Sequence, residues 1–102
     1  MNKQFKIFYR HPDGGFRYID TVTLTGDVDW DTKDCLEEIF YRMQGEVWSP
    51  HGEARYMIAS LGVQHTSMSI GDIARDEQTG KVWRVAMFGW EDVTKTAPCG
   101  KV

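Results

Sequence analysis

Cysteine is scarce in this chain, with two among 102 residues: Cys35 lies in an apolar helical pattern and Cys99 in the segment TAPCGKV. A bridge would have to join a buried site to a loose end, so both read as reduced thiols and a disulfide-stapled secreted scaffold is excluded. No apolar run approaches the roughly 20 residues that cross a bilayer, and the opening MNKQFKIFYR has no apolar stretch of the secretion-signal type. The expected location is the cytoplasm, without membrane contact. Histidine is sparse as well: His11, His51 and His65 fall in a turn, a helix start and a loop, and no two have the spacing of a preformed metal site. Glycine patterns that cradle phosphates are also lacking. Neither a metal nor a cofactor is expected. Repeats, linkers and low-complexity stretches do not occur, and residues 1–93 read as a single domain followed by a flexible tail over 94–102.

Aromatic residues are plentiful, at 13% with Trp30, Trp48, Trp83 and Trp90 among them. Large flat side chains beyond the needs of a small core tend to sit at interfaces, so the composition leans towards binding. A net charge of −3 conceals a segregation: residues 1–19 carry +3, whereas residues 20–40 set seven acids against Lys33 for −6. Two faces of opposite potential would govern partner choice more than fold.

Residues Gln4 to Arg10 and Phe16 to Thr25 are β-prone, and Pro12-Asp13-Gly14-Gly15 between them supplies turn chemistry, which predicts a hairpin. Phe16, Tyr18, Val22 and Leu24 share a parity and are expected to face the core, with Asp20 intruding. After the acidic GDVDWD, Cys35, Leu36, Ile39, Phe40 and Met43 recur at helical spacing, with Asp31 or Thr32 as the N-cap and Gly45 beyond the end. Ser49-Pro50 signals a second helix, with Ala54, Met57, Ile58 and Leu61 as its stripe and Gly62 as its stop. Trp48 stands at the corner, either stapled onto the core or exposed as an anchor. A strand near Ile70 to Arg75, a turn over 76–80 and a strand from Lys81 to Met87, with Trp83, Val85 and Met87 on one face, complete a second hairpin. The order ββααββ points to an α+β fold: a mostly antiparallel sheet with both helices packed on one face.

One short stretch, HTSMSIGD (65–72), gathers a histidine, three hydroxyls and a carboxylate. It reads first as a polar loop feeding a strand: Ile70 and another apolar residue dock inward, Gly71 permits close backbone approach and Asp72 ties down the turn through backbone N–H groups. A functional reading makes it a binding rim in which Trp48, His51, His65, Thr66, Ser67 and Ser69 meet a partner. Catalysis would need an activated serine, an oriented base and an oxyanion hole, and nothing flags Ser67 or Ser69 in that way. No catalytic residue is assigned, although a small hydrolase or transferase at the His65 loop stands as the enzymatic alternative.

The residues MQGEVWSPHGEAR (43–55) and HTSMSIGDIARDEQTGKVWRVAMFGWEDV (65–93) carry a family likeness. The second resembles the YodL-like domain of plasmid, phage and mobile-element proteins: Ser67, Met68, Ser69, Ile70, Gly71, Asp72 and Ile73 lead into a hairpin that closes on Phe88, Gly89, Trp90 and Glu91. The likeness covers about the last third of the chain. It implies an accessory module with no reaction to carry over, bound to a host or element-encoded protein and inhibiting a defence system. The leading expectation is therefore a non-enzymatic protein-binding module, with a homodimer possible. The alternative is a binder of single-stranded nucleic acid, because Lys3, Lys6, Arg10 and Arg17 interleave with Phe5, Phe8, Tyr9, Phe16 and Tyr18 in the first hairpin. The acidic segment 27–38 admits two readings, a nucleic-acid mimic or a solvated helix face.

Overall fold

The computed structural model describes residues 3–25 and 32–96. Strands β1 (Lys3–Arg10) and β2 (Phe16–Leu24) pair antiparallel as the turn chemistry predicts. Asp13 fastens that turn, accepting from the Gly15 N–H at 2.8 Å and from Arg17 Nη2 at 2.6 Å. The backbone bond first, and then the guanidinium, hold its carboxyl down at about 2. The parity reading of β2 fails midway, however. Ile7 opposes Asp20 while Phe8 opposes Tyr18, so Ile19 is an extra residue and forms a β-bulge. Beyond the bulge the faces exchange: Ile19, Val22 and Leu24 join the main core, while Phe16 packs on the other face and Tyr18 is 47% exposed.

Helix α1 (Thr32–Arg42) buries Cys35, Leu36 and Ile39, with Met43 just past its end, as the periodicity predicts. The proposed cap Asp31 and the acids Asp27 and Asp29 lie outside the described residues, as do Trp30 and Cys99. At the far end Arg42 holds Glu38 at 2.7 Å and donates to the Thr23 carbonyl at 3.1 Å, tying the helix to β2.

The second helix is shorter than expected and begins later. A 3-10 turn over Glu46–Trp48 comes first, and helix α2 spans Arg55–Ser60 with Ala54 as its N-cap and no side-chain capping bond. Ser49-Pro50-His51-Gly52 closes instead as a β-turn, with the Gly52 N–H donating to the Ser49 carbonyl at 2.9 Å. Serine first, proline second and glycine fourth suit such a turn as well as they suit a helix start. Ala54 and Ile58 are buried, Leu61 is half-buried, and Met57 is 40% exposed.

Strands β3 (Ile73–Asp76), β4 (Val82–Val85) and β5 (Trp90–Asp92) follow. The expected strand from Ile70 begins three residues late because Gly71 has φ = +96°, outside the β region. Ile70 itself is 55% exposed rather than docked inward, and Met68 fills the core in its place. Met87 likewise lies past the end of β4 and is 75% exposed. The sheet runs β2-β1-β3-β4-β5 with every neighbouring pair antiparallel. The chain stays tied to it beyond Val93: residues 94–96, expected in the tail, form a 3-10 turn, and Thr94 Oγ1 accepts from the Val82 N–H at 3.0 Å.

Alternation along β1 distributes the core. Phe5, Ile7 and Tyr9 face both helices, whereas Phe8 joins Ile73, Val82 and Val93 on the opposite face. Among the described residues, sixteen buried on the helix side against four on the other make the helix-covered face the main source of apolar stabilisation, at ~1.5–3 kcal/mol per large side chain. The architecture is the α+β arrangement read from the sequence, with one additional edge strand.

Candidate functional site

Two regions hold the functional candidates. The first is the stretch 65–72, which Asp72 organises from the inside. Its carboxylate is fully buried and accepts from the Arg10 N–H at 2.9 Å and the Ser69 N–H at 2.8 Å, while His65 Nε2 lies 2.7 Å from Oδ2. The His65 ring stacks on Tyr9 with centroids 4.8 Å apart, and the Tyr9 hydroxyl donates to the Thr66 carbonyl at 3.0 Å. Burial first, then the nearby Asp72 and Asp20 carboxylates, push the Tyr9 hydroxyl well above its ordinary range, so it acts as a permanent donor. A hydrogen-bonded Asp–His pair is also how a catalytic base is oriented, but a nucleophile has to meet the remaining imidazole nitrogen. Neither serine is poised for that. Ser67 Oγ donates to the Trp48 carbonyl at 2.8 Å and Ser69 Oγ to the Ser67 carbonyl at 3.0 Å.

Of the six rim residues, Trp48, Ser67 and Ser69 are therefore drawn together by bonds within the fold, Thr66 is held to Tyr9 through its carbonyl, and Trp48 also packs against the main core. His65 shares Asp72 with Ser69. His51 is exposed on the Ser-Pro turn, where its carbonyl accepts from Arg55 Nη1 at 2.8 Å. Among the described residues no three His, Cys, Asp or Glu side chains converge as metal ligands.

The basic hairpin offers few stacking platforms. Phe5, Phe8 and Tyr9 are buried and Phe16 is half-buried, which leaves Tyr18 as the one exposed ring of the five. Its cations are also engaged: Lys3 with Asp76 at 3.8 Å, Lys6 with Glu77 at 3.6 Å, Arg17 with Asp13, and Arg10 with the Ile70 carbonyl at 3.0 Å.

The second region is an open groove of about 870 Å³ between α1 and the β4–β5 hairpin, floored and walled by Leu36, Phe40, Trp83, Val85, Met87 and Trp90. Phe40 and Trp90 meet edge to face with centroids 6.4 Å apart. Lys33 and Glu37 stand on its helix wall and Ile70 on its rim. Next to it, Phe88 at the hairpin tip is 91% exposed. In the sequence Met87 shares a strand face with Trp83 and Val85, Phe88 has a place only in a motif, and Trp90 counts there and among the aromatics that lean towards binding. The signal was nonetheless present in AMFGW, where two large apolar residues occupy a turn that ordinarily takes polar ones.

The groove is bounded by the outer edge of β5. The Val93 N–H donates to the Val82 carbonyl and the Ala86 N–H to the Gly89 carbonyl, each at 2.9 Å, which sets the phase of the ladder. Glu91 then faces Arg84 of β4, and the N–H and C=O groups of Trp90 and Asp92 point off the sheet, with no partner among the described residues. Comparison with family models, with curated proteins and with solved structures finds no match.

Proposed function

We propose that this chain is a non-enzymatic protein-binding module that meets its partner through the groove between α1 and the β4–β5 hairpin. The observation that carries the reading is the run of exposed apolar surface from Ile70 (55% exposed) through Met87 (75%) to Phe88 (91%) beside that groove. A monomeric domain ordinarily scatters its exposed apolar residues, and a contiguous patch marks a contact surface. The rim around His65 serves this reading as a support, since Ser67 and Ser69 spend their hydroxyls on backbone carbonyls. The same engagement of both serines supports a non-catalytic role for the stretch. Buried rings and paired cations in the first hairpin favour a protein partner over single-stranded nucleic acid. The YodL-like resemblance extends the proposal to a plasmid or phage accessory role, with a protein of a host defence system as the target.

Immobilised full-length chain and its Met87→Glu and Ile70→Glu variants, each at an exposed position, test the proposal against extract from the native host. One protein should be retained by the parent and by His51→Ala, lost from both groove variants, and bound directly when purified. Retention of a labelled single-stranded oligonucleotide, falling steeply with salt and unaffected by Met87→Glu, would transfer the function to the first hairpin.

A further inference from the structure

Building on the groove reading, we infer that the partner enters as an extended segment, laid along β5 as a sixth strand with alternate apolar side chains set into the groove. The strand edge and the apolar surface coincide here. Trp90 and Asp92 turn their N–H and C=O groups outward, and Trp90 sends its ring to the groove side against Phe40. A helix or a compact ligand could fill the apolar space but would leave those backbone groups to water. A strand satisfies both, because its backbone pairs along the edge while every second side chain points to one face.

The other edge of the sheet is closed to such an addition. Strand β2 is bent by the Ile19 bulge, and Arg42 already occupies the Thr23 carbonyl. A second copy of the chain is also a poor occupant. In the symmetric register that pairs Trp90 with Asp92 of the copy, Glu91 would lie directly opposite Glu91, and although each is paired with its own Arg84, the two like charges oppose pairing. The exposed charges on the helix wall define the partner further. Lys33 and Glu37 both line that wall and present one charge of each sign, so polar positions of the segment that lie beside them are best filled by an acid and a base. The partner segment is thus apolar at alternate positions, with one charge of each sign.

Panning the full-length chain against a displayed library of random linear peptides tests this. Enriched peptides should alternate apolar and polar residues. N-methylation of the amides that face β5 should weaken a synthetic winner about tenfold or more, whereas methylation of the intervening amides should change little. Exchange of the Trp90 and Asp92 amides should slow about tenfold or more in the complex. Peptides of helical period that leave those two amides exchanging freely would overturn the strand inference while the groove reading stands. Peptides indifferent to Met87→Glu, or no enrichment at all, would overturn the strand inference and count against the groove as well. A dimer in sedimentation that Glu91→Gln tightens and Met87→Glu dissolves would make a second copy the occupant and overturn the inference in that form.

Discussion

A carboxylate with no exposed surface must find donors for its oxygens, and Asp72 finds three from three parts of the chain: the end of β1 through Arg10, the loop through Ser69, and the His65 ring. This fixes the approach to β3 alongside the burial of Met68 in the same stretch. Removing the carboxylate would leave two backbone N–H groups and an imidazole without their acceptor, at ~1–3 kcal/mol for each unsatisfied buried group. Asp72→Ala should therefore lower unfolding stability by ~2–4 kcal/mol, read from urea midpoints at unchanged slope, and His65→Ala by less, since the backbone donors keep their acceptor. A loss within ~0.5 kcal/mol of zero for Asp72→Ala, the range of an ordinary surface substitution, would mean that the node is not structural. The role of Asp72 was legible, because an aspartate beside a glycine at a strand entrance is turn chemistry. The inward turn of Met68 was not. Nothing local marks Met68 rather than Ile70 as the buried residue; the packing of the main core that Met68 joins makes the choice.

Among the elements, those read correctly are those with a local cause. The first hairpin has Pro12 and Asp13, and α1 has an unbroken apolar stripe. The misreadings occur where one local signal has two solutions. Adjacent Tyr18 and Ile19 are both apolar, so either can fill the core side at that point of β2, and only the pairing with β1 selects the bulge. Strand β5 has three residues, too few to display alternation. Ser49-Pro50 can open a helix or a turn, and the turn prevails because Gly52 lets the backbone fold over the preceding 3-10 turn. A Cβ at Gly52 would stand 2.1 Å from the Glu46 carbonyl oxygen and 2.3 Å from that of Val47, both rigid backbone atoms. Gly52→Ala should consequently destabilise by ~2 kcal/mol or more, as overpacking against atoms that cannot rotate away does. Pro50→Ala should be far milder, because the Gly52 to Ser49 bond survives it. Equal midpoints for Gly52→Ala and the parent in thermal melts would refute the close approach.

At the scale of the molecule, one sheet carries two unequal faces, and the candidate groove lies where the helix layer stops short of the β5 edge. That gap was invisible in the sequence because its walls, residues 33–40 and 83–90, are brought together only by the fold. The helix layer is itself uneven. Helix α1 is anchored by Cys35, Leu36 and Ile39, whereas α2 buries Ile58 alone within its span and has no side-chain cap. Regions with few buried contacts open by local fluctuation at lower free energy than the global transition. The amides of α2 should therefore exchange with solvent ahead of those in β1 and β3, which occupy the middle of the sheet. Ile58→Ala removes the main anchor, a change that costs ~2–5 kcal/mol in a packed core. If α2 is a separate opening unit, the variant should lose protection over residues 55–61 and keep it in β1, with the groove still competent to bind. A uniform fall across sheet and helix would instead make α2 part of one cooperative core, and binding at the groove would then weaken with it.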